Sequence, residues 1–438
     1  MSQPPTTPPA GPAEGHAARP PVQDAPAWRR EPYRLFFPLG LLLAWGGMFH
    51  WIVLATGQGT HFETPFHESV FHSIAQVQGF LMTFAVGFLF TAIPRRTGTA
   101  APGPVEMVLG LACPVLTTVL AWRGDFGGSQ TPWLVLFVVV LQFAWRRFHD
   151  PRALRRPPRS FLWVPLALWT GFAGVALLAA YGMTSKDKAT SEVFAPWVHY
   201  LGQVLLLQGM FLGLVVGVGG MVLPLLTRGD SSTDAAGANR WQVPLHLLAF
   251  ALLIGSFLLE VATPGEDAPE LVQALCGRRP AYVLRAAVVL ALLCGTGRIW
   301  RRPSKPGAHR WLVWLSAWAI PVGYLLGALL PPASFQAGLH VVFIGGFALM
   351  ALAVGLHISL AHGGRPDLVA GPNREVPVLA ALLLAAIVLR ALKSLDVPRQ
   401  YLWLGLSAGC FLLATLVWLA LVTKPLRRPP PGDAGAAG

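Results

Sequence analysis

Charged residues are scarce in this chain of 438 residues. Asp, Glu, Lys and Arg make up only 12% of the sequence, about half the share of a typical soluble domain, whereas 54% of the residues are hydrophobic. So few charges cannot cover the surface of a soluble protein of this length. The same numbers exclude an intrinsically disordered chain, which combines low hydrophobicity with high net charge. The composition therefore predicts a membrane protein.

Cysteine is also rare. The four cysteines are Cys113, Cys276, Cys294 and Cys410, and no pair of them has the spacing Cys-x-x-Cys. A disulfide-rich scaffold and a thiolate zinc site are therefore not expected. The Cys-x-x-Cys-His pattern that attaches haem covalently is absent as well.

Long apolar blocks fill most of the chain, and each is long enough to cross a hydrocarbon layer of about 30 Å as a helix. The alternation typical of membrane strands is missing, so the predicted fold is all-α with twelve transmembrane helices. The predicted membrane domain covers residues 31–428, between disordered tails at 1–30 and 429–438. The twelve blocks are 35–56, 70–93, 104–122, 131–147, 161–183, 197–226, 241–262, 281–300, 311–330, 338–361, 375–393 and 401–423.

The formal net charge is +13. If the N-terminus faces the cytoplasm, 22 Lys and Arg residues fall on the cytoplasmic side of these blocks and 7 on the other side. Because positive residues accumulate in cytoplasmic loops, we expect a bacterial-type inner-membrane protein with both termini in the cytoplasm. The positive charge then indicates contact with anionic lipids and no nucleic acid partner.

Histidines open three of the blocks. His72, His199 and His340 begin the second, sixth and tenth blocks, which are four apart. This spacing predicts a threefold internal repeat of four helices. An offset of 130 residues supports the repeat, because it aligns Gln78-Gly79 with Gln208-Gly209.

A buried imidazole is costly in a membrane unless it is paired or bound to a metal. Haem iron takes one or two His ligands, and copper often takes two or three. His72, Gln76, Gly79 and Thr83 share one side of the second block by helical spacing, and small residues such as Gly79, Gly87, Gly345 and Gly346 would admit a flat macrocycle. The alternative is that the histidines lie at the water boundary and satisfy helix ends.

Three segments carry a resemblance to a known family. The first segment runs from His67-Glu68 to Gly87-Phe88-Leu89-Phe90-Thr91-Ala92-Ile93-Pro94 and Thr97-Gly98. The second is Gly219-Gly220-Met221-Val222-Leu223-Pro224-Leu225-Leu226-Thr227-Arg228. The third runs from His340 to Ser359-Leu360-Ala361-His362-Gly363-Gly364-Arg365. These segments, and the layout over residues 30–425, resemble the NnrS family of membrane proteins.

The resemblance implies haem b, copper and a role in nitric oxide binding, response or protection from nitrosative stress. From the positions of the histidines, we predict His72 and His340 as haem ligands, with His67 as the substitute for His72. Copper would take His199 with His50 or His67, and Glu68 would ligate the metal or support a ligand. The further cofactor-binding candidates, from the third segment, are His357 and His362.

The chain departs from the family pattern at three positions. Pro65 stands in place of a His, Met221 in place of an Arg, and His357 near an expected Arg. The large subunit of haem–copper oxidases is also similar in its twelve helices and its His positions. That subunit uses its seventh helix for copper, where this chain has only His246 near the other end, so we expect no oxygen-reducing site.

Acidic residues are few within the blocks. Glu106 and Glu260 lie near block ends and are expected at the membrane interface. This shortage argues against proton-coupled transport, although a secondary transporter without a cofactor remains the alternative function, and a scaffold or assembly factor is a third. Arg285 and Arg390 are expected to extend to the membrane surface or, alternatively, to contact haem propionates.

Overall fold

The computed structural model describes residues 25–59, 62, 65–154, 158–184, 196–230, 241–262, 267 and 269–428. Within these ranges the chain is helical, with no β-strand. Of the predicted tails, residues 1–24 and 429–438 lie outside the described residues. Ala27–Arg30, at the end of the predicted N-terminal tail, forms a helical turn.

In this described part of the chain, twelve helices are long and apolar enough to cross a membrane. Each helix coincides with one predicted block to within four residues at either end, so the prediction of a twelve-span, all-α protein is confirmed. In chain order they are α1 (Tyr33–Ala55), α2 (His67–Thr97), α3 (Pro104–Trp122), α4 (Gln130–Phe148), α5 (Arg159–Tyr181), α6 (Trp197–Arg228), α7 (Gln242–Val261), α8 (Arg278–Gly297), α9 (Ala308–Leu329), α10 (Phe335–His362), α11 (Glu375–Leu392) and α12 (Val397–Arg427).

The start of α1 and the end of α12 lie on one side of the bundle. Nη1 of Arg34, at the start of α1, donates to the backbone carbonyl of Leu426, near the end of α12, at 2.6 Å. We call this side the terminal end. The opposite side, where α1 ends and α2 begins, is the distal end, and the charge distribution predicts that it faces away from the cytoplasm.

Three helices have corresponding neighbours. The helix α2 packs against α1, α3 and α4, α6 packs against α5, α7 and α8, and α10 packs against α9, α11 and α12. Most of the apolar stretch of α2 and of α6 is buried, 83% in each, whereas α7 reaches only 17%. A helix that is apolar on all sides and enclosed by other helices belongs to the interior of a membrane bundle. In α10 the buried share is 56%, the same as in α9.

The same three helices each contain a π-helical stretch. These stretches are Ile74–Leu81 in α2, Leu205–Gly209 in α6 and Val341–Ala348 in α10. A π-helical turn shifts the following side chains around the helix and is often found at functional sites. Gln78 and Gln208, which the sequence offset aligns, both lie in π-helical stretches.

Glycines allow close crossings beside two of these stretches. A Cβ atom on Gly202 of α6 would lie 3.0 Å from the carbonyl oxygen of Gly174 in α5. A Cβ atom on Gly338 of α10 would lie 2.3 Å from the backbone nitrogen of Gly327 in α9. Small residues at such positions let membrane helices approach closely.

An apolar cavity of about 110 Å³ lies between α2, α6 and α10. Its lining is made only of apolar side chains and glycine, among them Phe84, Val215 and Met350, and includes no histidine. The candidate ligands therefore have to be sought nearer the helix ends.

Candidate cofactor site

Three imidazoles lie at one depth near the distal end. His50 of α1, His72 of α2 and His340 of α10 are each five residues from the distal end of their helix, about 7.5 Å along the axis. The ring centroids of His50 and His72 are 6.2 Å apart, and His72 and His340 are close enough for their charges to interact. We call these three residues the distal imidazole group.

Helix α1 holds His72 in a defined orientation. Nδ1 of His72 donates to the backbone carbonyl of Gly47 at 3.0 Å, and one turn further on Gln76 donates to the carbonyl of Ala44 at 2.8 Å. Because a carbonyl only accepts hydrogen bonds, Nδ1 carries the proton and Nε2 keeps its lone pair. A hydrogen bond of this kind also orients the imidazole ligands of metals in proteins.

His340 has the same tautomer. Its Nδ1 donates to the backbone carbonyl of Gln336 at 2.7 Å, and its Nε2 accepts from Nε of Arg390 in α11 at 3.0 Å. The lone pair that a metal would use therefore points toward a guanidinium group.

His50 is buried without a polar partner. Its side chain is 3% exposed, and neither ring nitrogen has a hydrogen-bond partner in the described part of the chain. The ring instead packs against Trp51 and Phe71, with centroid distances of 4.5 and 5.7 Å. A buried polar group without a partner is unfavourable unless it binds a ligand or ordered water.

The predicted partners His67 and Glu68 lie at the start of α2. Glu68 is 1% exposed, and His67 packs against the ring of Phe126 with a centroid distance of 5.5 Å. Glu68 precedes His72 by one helical turn, so both occupy the same side of α2. Burial distinguishes Glu68 from an ordinary loop carboxylate.

His199 lies in a different environment from His72 and His340, the other two histidines predicted at helix starts. Its ring packs against Tyr181 of α5, with a centroid distance of 4.8 Å. Among the described residues, no hydrogen bond or ring contact joins it to His72 or His340. The described contacts thus group histidines of α1, α2 and α10, and the place of His199 in the same site stays a prediction.

His357 and His362 lie at the terminal end. His362 is 22 residues after His340 on α10, which places it about 33 Å away along the axis. His357 is hydrogen-bonded to His309 of α9, with 3.0 Å between Nδ1 and Nε2, and His362 lies beside Arg95 at 2.7 Å. These two histidines cannot share a cofactor with the distal imidazole group.

The glycines expected to admit a macrocycle pack against other helices. A Cβ atom on Gly87 would lie 2.5 Å from Cβ of Phe36, and one on Gly346 would lie 2.5 Å from Cγ1 of Ile320. No group of three or more His, Cys, Asp or Glu side chains is suitably placed for a metal ion in the described part of the chain. Within the described residues, the distal imidazole group is therefore the set of His side chains that could supply one or two ligands to a cofactor.

A buried ion pair is the largest feature that sequence reasoning missed. Arg285 of α8 is fully buried and pairs with Glu260 of α7, with 2.7 Å between Nη2 and Oε2. Its Nη1 donates to Oε1 of Gln208 at 2.7 Å, and its Nε donates to Oγ of Ser256 at 3.1 Å. Arg285 therefore does not extend away from the bundle, and Glu260, at 8% exposure, is enclosed by protein although it lies one residue from the end of α7.

Two tyrosines complete this network. The hydroxyl of Tyr200 donates to Oε1 of Glu260 at 2.5 Å, and the hydroxyl of Tyr324 donates to Oε1 of Gln208 at 3.0 Å. The guanidinium of Arg285 also lies 4.0 Å from the centroid of the Phe257 ring. We call these residues the α6–α9 network. The corresponding Gln78 of α2 has only a neutral partner, Gln130 of α4, at 2.9 Å.

These features define a twelve-helix membrane protein with buried imidazoles near one end and a buried ion-pair network among α6, α7, α8 and α9. The family model described as NnrS protein matches residues 27–429, nearly the whole chain. The chain belongs to the NnrS family, as its motifs indicated, and this membership fits a membrane protein linked to nitric oxide. A comparison with curated proteins finds no match.

Proposed function

We propose that this protein binds haem b near its distal end and acts in nitric oxide binding or in protection from nitrosative stress. The observation that carries the proposal is the distal imidazole group, in which His50 has two unpartnered ring nitrogens and His72 keeps a free Nε2. Ferrous haem with an open axial position would supply the binding of the gas.

His72 and His340 are the proposed haem ligands, since both carry the proton on Nδ1. His340 can bind iron through Nε2 only if Arg390 gives up its hydrogen bond to that nitrogen. For copper, His50 offers a buried imidazole whose two ring nitrogens have no hydrogen bond among the described residues. His67, Glu68 and His199 remain proposed copper ligands with weaker support, because the rings of His67 and His199 pack against Phe126 and Tyr181.

The corresponding neighbours and π-helical stretches of α2, α6 and α10 support a threefold repeat of four helices. They also support a likeness to the large subunit of haem–copper oxidases, in which helices 2 and 10 hold haem. The distribution of Lys and Arg supports an inner-membrane location with both termini in the cytoplasm. The distal imidazole group would then lie toward the periplasm. Fusions of a reporter enzyme to the loops would test on which side of the membrane each loop lies.

The visible spectrum of the purified protein tests the proposal. We expect a Soret band in the natural protein and its loss in His72→Ala and in His340→Ala. His149→Ala is the matched control, since that exposed histidine lies at the terminal end. An unchanged Soret band in both distal variants would contradict the assignment.

Secondary transport is the alternative function, and the α6–α9 network gives it a buried acidic group that the sequence did not predict. Charged groups inside a membrane often mark ion pathways. A colourless, metal-free preparation that moves a solute into liposomes would favour transport over haem binding.

A further inference from the structure

We propose that Arg390 and Lys393 form a binding site for a carboxylate-type anion beside His340 at the distal end. Arg390 lies in the last turn of α11 and Lys393 directly follows that helix. Both side chains are half-buried. The inference begins from positive charge that the protein itself leaves unbalanced.

Arg390 uses one of its five N–H groups. Its Nε donates to Nε2 of His340, and its guanidinium makes no other hydrogen bond or ion pair in the described part of the chain. The imidazole that accepts this bond is neutral, because its Nε2 accepts through a lone pair while its Nδ1 carries the proton donated to a carbonyl. Arg390 therefore has a polar neighbour and no counter-charge.

Lys393 adds a second positive charge at the same place. Burial and the nearby charge of Arg390 lower the pKa of Lys393. Its amino group has no hydrogen bond or ion pair to any described residue. Asp396, the nearest acid along the chain, instead accepts from Nε1 of Trp403 at 3.1 Å and lies 4.0 Å from Arg399.

The end of α11 explains only part of this arrangement. A helix C-terminus favours positive charge through its dipole, but it offers no acceptors to the outward N–H groups of a guanidinium. Like charges side by side in a half-buried position favour a bound anion. Arg390 lies near both His72 and His340, and Lys393 lies near His340, since these charges act on those rings.

The chemistry of the site selects the class of anion. The planar guanidinium presents parallel N–H groups that match two oxygens of a carboxylate, whereas the lysine supplies a point charge. The anion can be a carboxylate of a bound haem, in which case the inference rests on the proposed function. It can also be a small free anion with the same pair of oxygens, such as formate or nitrite.

Two measurements on the full-length protein distinguish these sources. In the first, haem carrying ¹³C-labelled propionates is incorporated and the infrared carboxylate bands are recorded. In the second, formate and nitrite are titrated into the purified protein by calorimetry. The variants are Arg390→Gln, Arg390→Lys and Lys393→Gln, and the control is Arg399→Gln, whose side chain is 71% exposed on the same loop.

We expect Arg390→Gln either to shift the labelled propionate bands or to weaken anion binding at least tenfold. Arg390→Lys, which keeps the charge and loses the planar fork, should show a smaller effect, and Arg399→Gln should show none. Lys393 lies beyond the end of α11. The variant Lys393→Gln therefore serves as the second test if Arg390→Gln does not fold.

Failure of this inference is separate from failure of the proposed function. Binding of formate or nitrite that depends on Arg390, in a protein without a Soret band, would support the anion site and remove the haem. A Soret band together with propionate bands and anion binding that ignore both Arg390→Gln and Lys393→Gln would overturn the anion site alone.

Discussion

The distal imidazole group and the α6–α9 network are both polar clusters inside the helical bundle, yet they are organised in opposite ways. In the network, Arg285 has Glu260 as its counter-charge, and Gln208 accepts from both Arg285 and Tyr324. In the distal imidazole group, His50 has two ring nitrogens without a hydrogen bond among the described residues. Arg390, which donates to His340, has no counter-charge among these residues. The network therefore forms a closed cluster in which each charge has a partner, whereas the described residues leave both ring nitrogens of His50 without a hydrogen bond.

The largest expected effect comes from removing one charge of the network. Glu260→Ala leaves Arg285 buried without a counter-charge, and breaking such a pair costs about 3–5 kcal/mol. We expect a large fall in the thermal midpoint of the purified protein in detergent. The double variant Glu260→Leu with Arg285→Met removes both charges and should recover most of this loss.

Asp367→Asn is the control for that change. Asp367 pairs with Arg365, but its side chain is 59% exposed, and exposed ion pairs contribute about 1 kcal/mol or less. If Glu260→Ala and Asp367→Asn had equally small effects, the network would not be the closed, stabilising cluster described above.

A moderate effect is expected from Tyr324→Phe. The change removes one hydrogen bond to Gln208, while Arg285 continues to donate to the same oxygen. A loss of about 1 kcal/mol follows, because no buried acceptor is left without a partner. Thermal unfolding checks this value. A loss as large as that of Glu260→Ala would mean that the tyrosine has a further role in the network.

The smallest effect on stability is expected from His50→Phe. The ring of His50 makes only aromatic contacts, so an apolar ring of similar shape should change the stability of the cofactor-free protein by about 1 kcal/mol or less. The same variant should reduce the content of bound metal, as measured by elemental analysis. Strong destabilisation with unchanged metal content would assign His50 a structural role.

The sequence was sufficient for the twelve helices, because an apolar block of about 20 residues has few alternatives to a membrane-spanning helix. It also indicated the depth of His72 and His340, since position along a helix is fixed by residue number. It did not indicate which neighbour each polar side chain meets. Glu260 and Arg285 are near the ends of their blocks in the sequence. Their burial follows from the packing of α7 against α8, which the sequence pattern does not contain.

The composition of the distal imidazole group shows the same limit. Spacing along the chain favoured His199 as the third member, because α2, α6 and α10 begin alike. The crossing of α1 over α2 instead brings His50 to His72, through contacts of Gly47 and Ala44 that no single-helix pattern contains.

An experimental density map of the purified protein would test the central claim most directly. We predict density for a bound cofactor that is continuous with the rings of His72 and His340 at the distal end. If the rings of His72 and His340 contacted only protein or lipid, in a preparation that binds nitric oxide, the account would be contradicted.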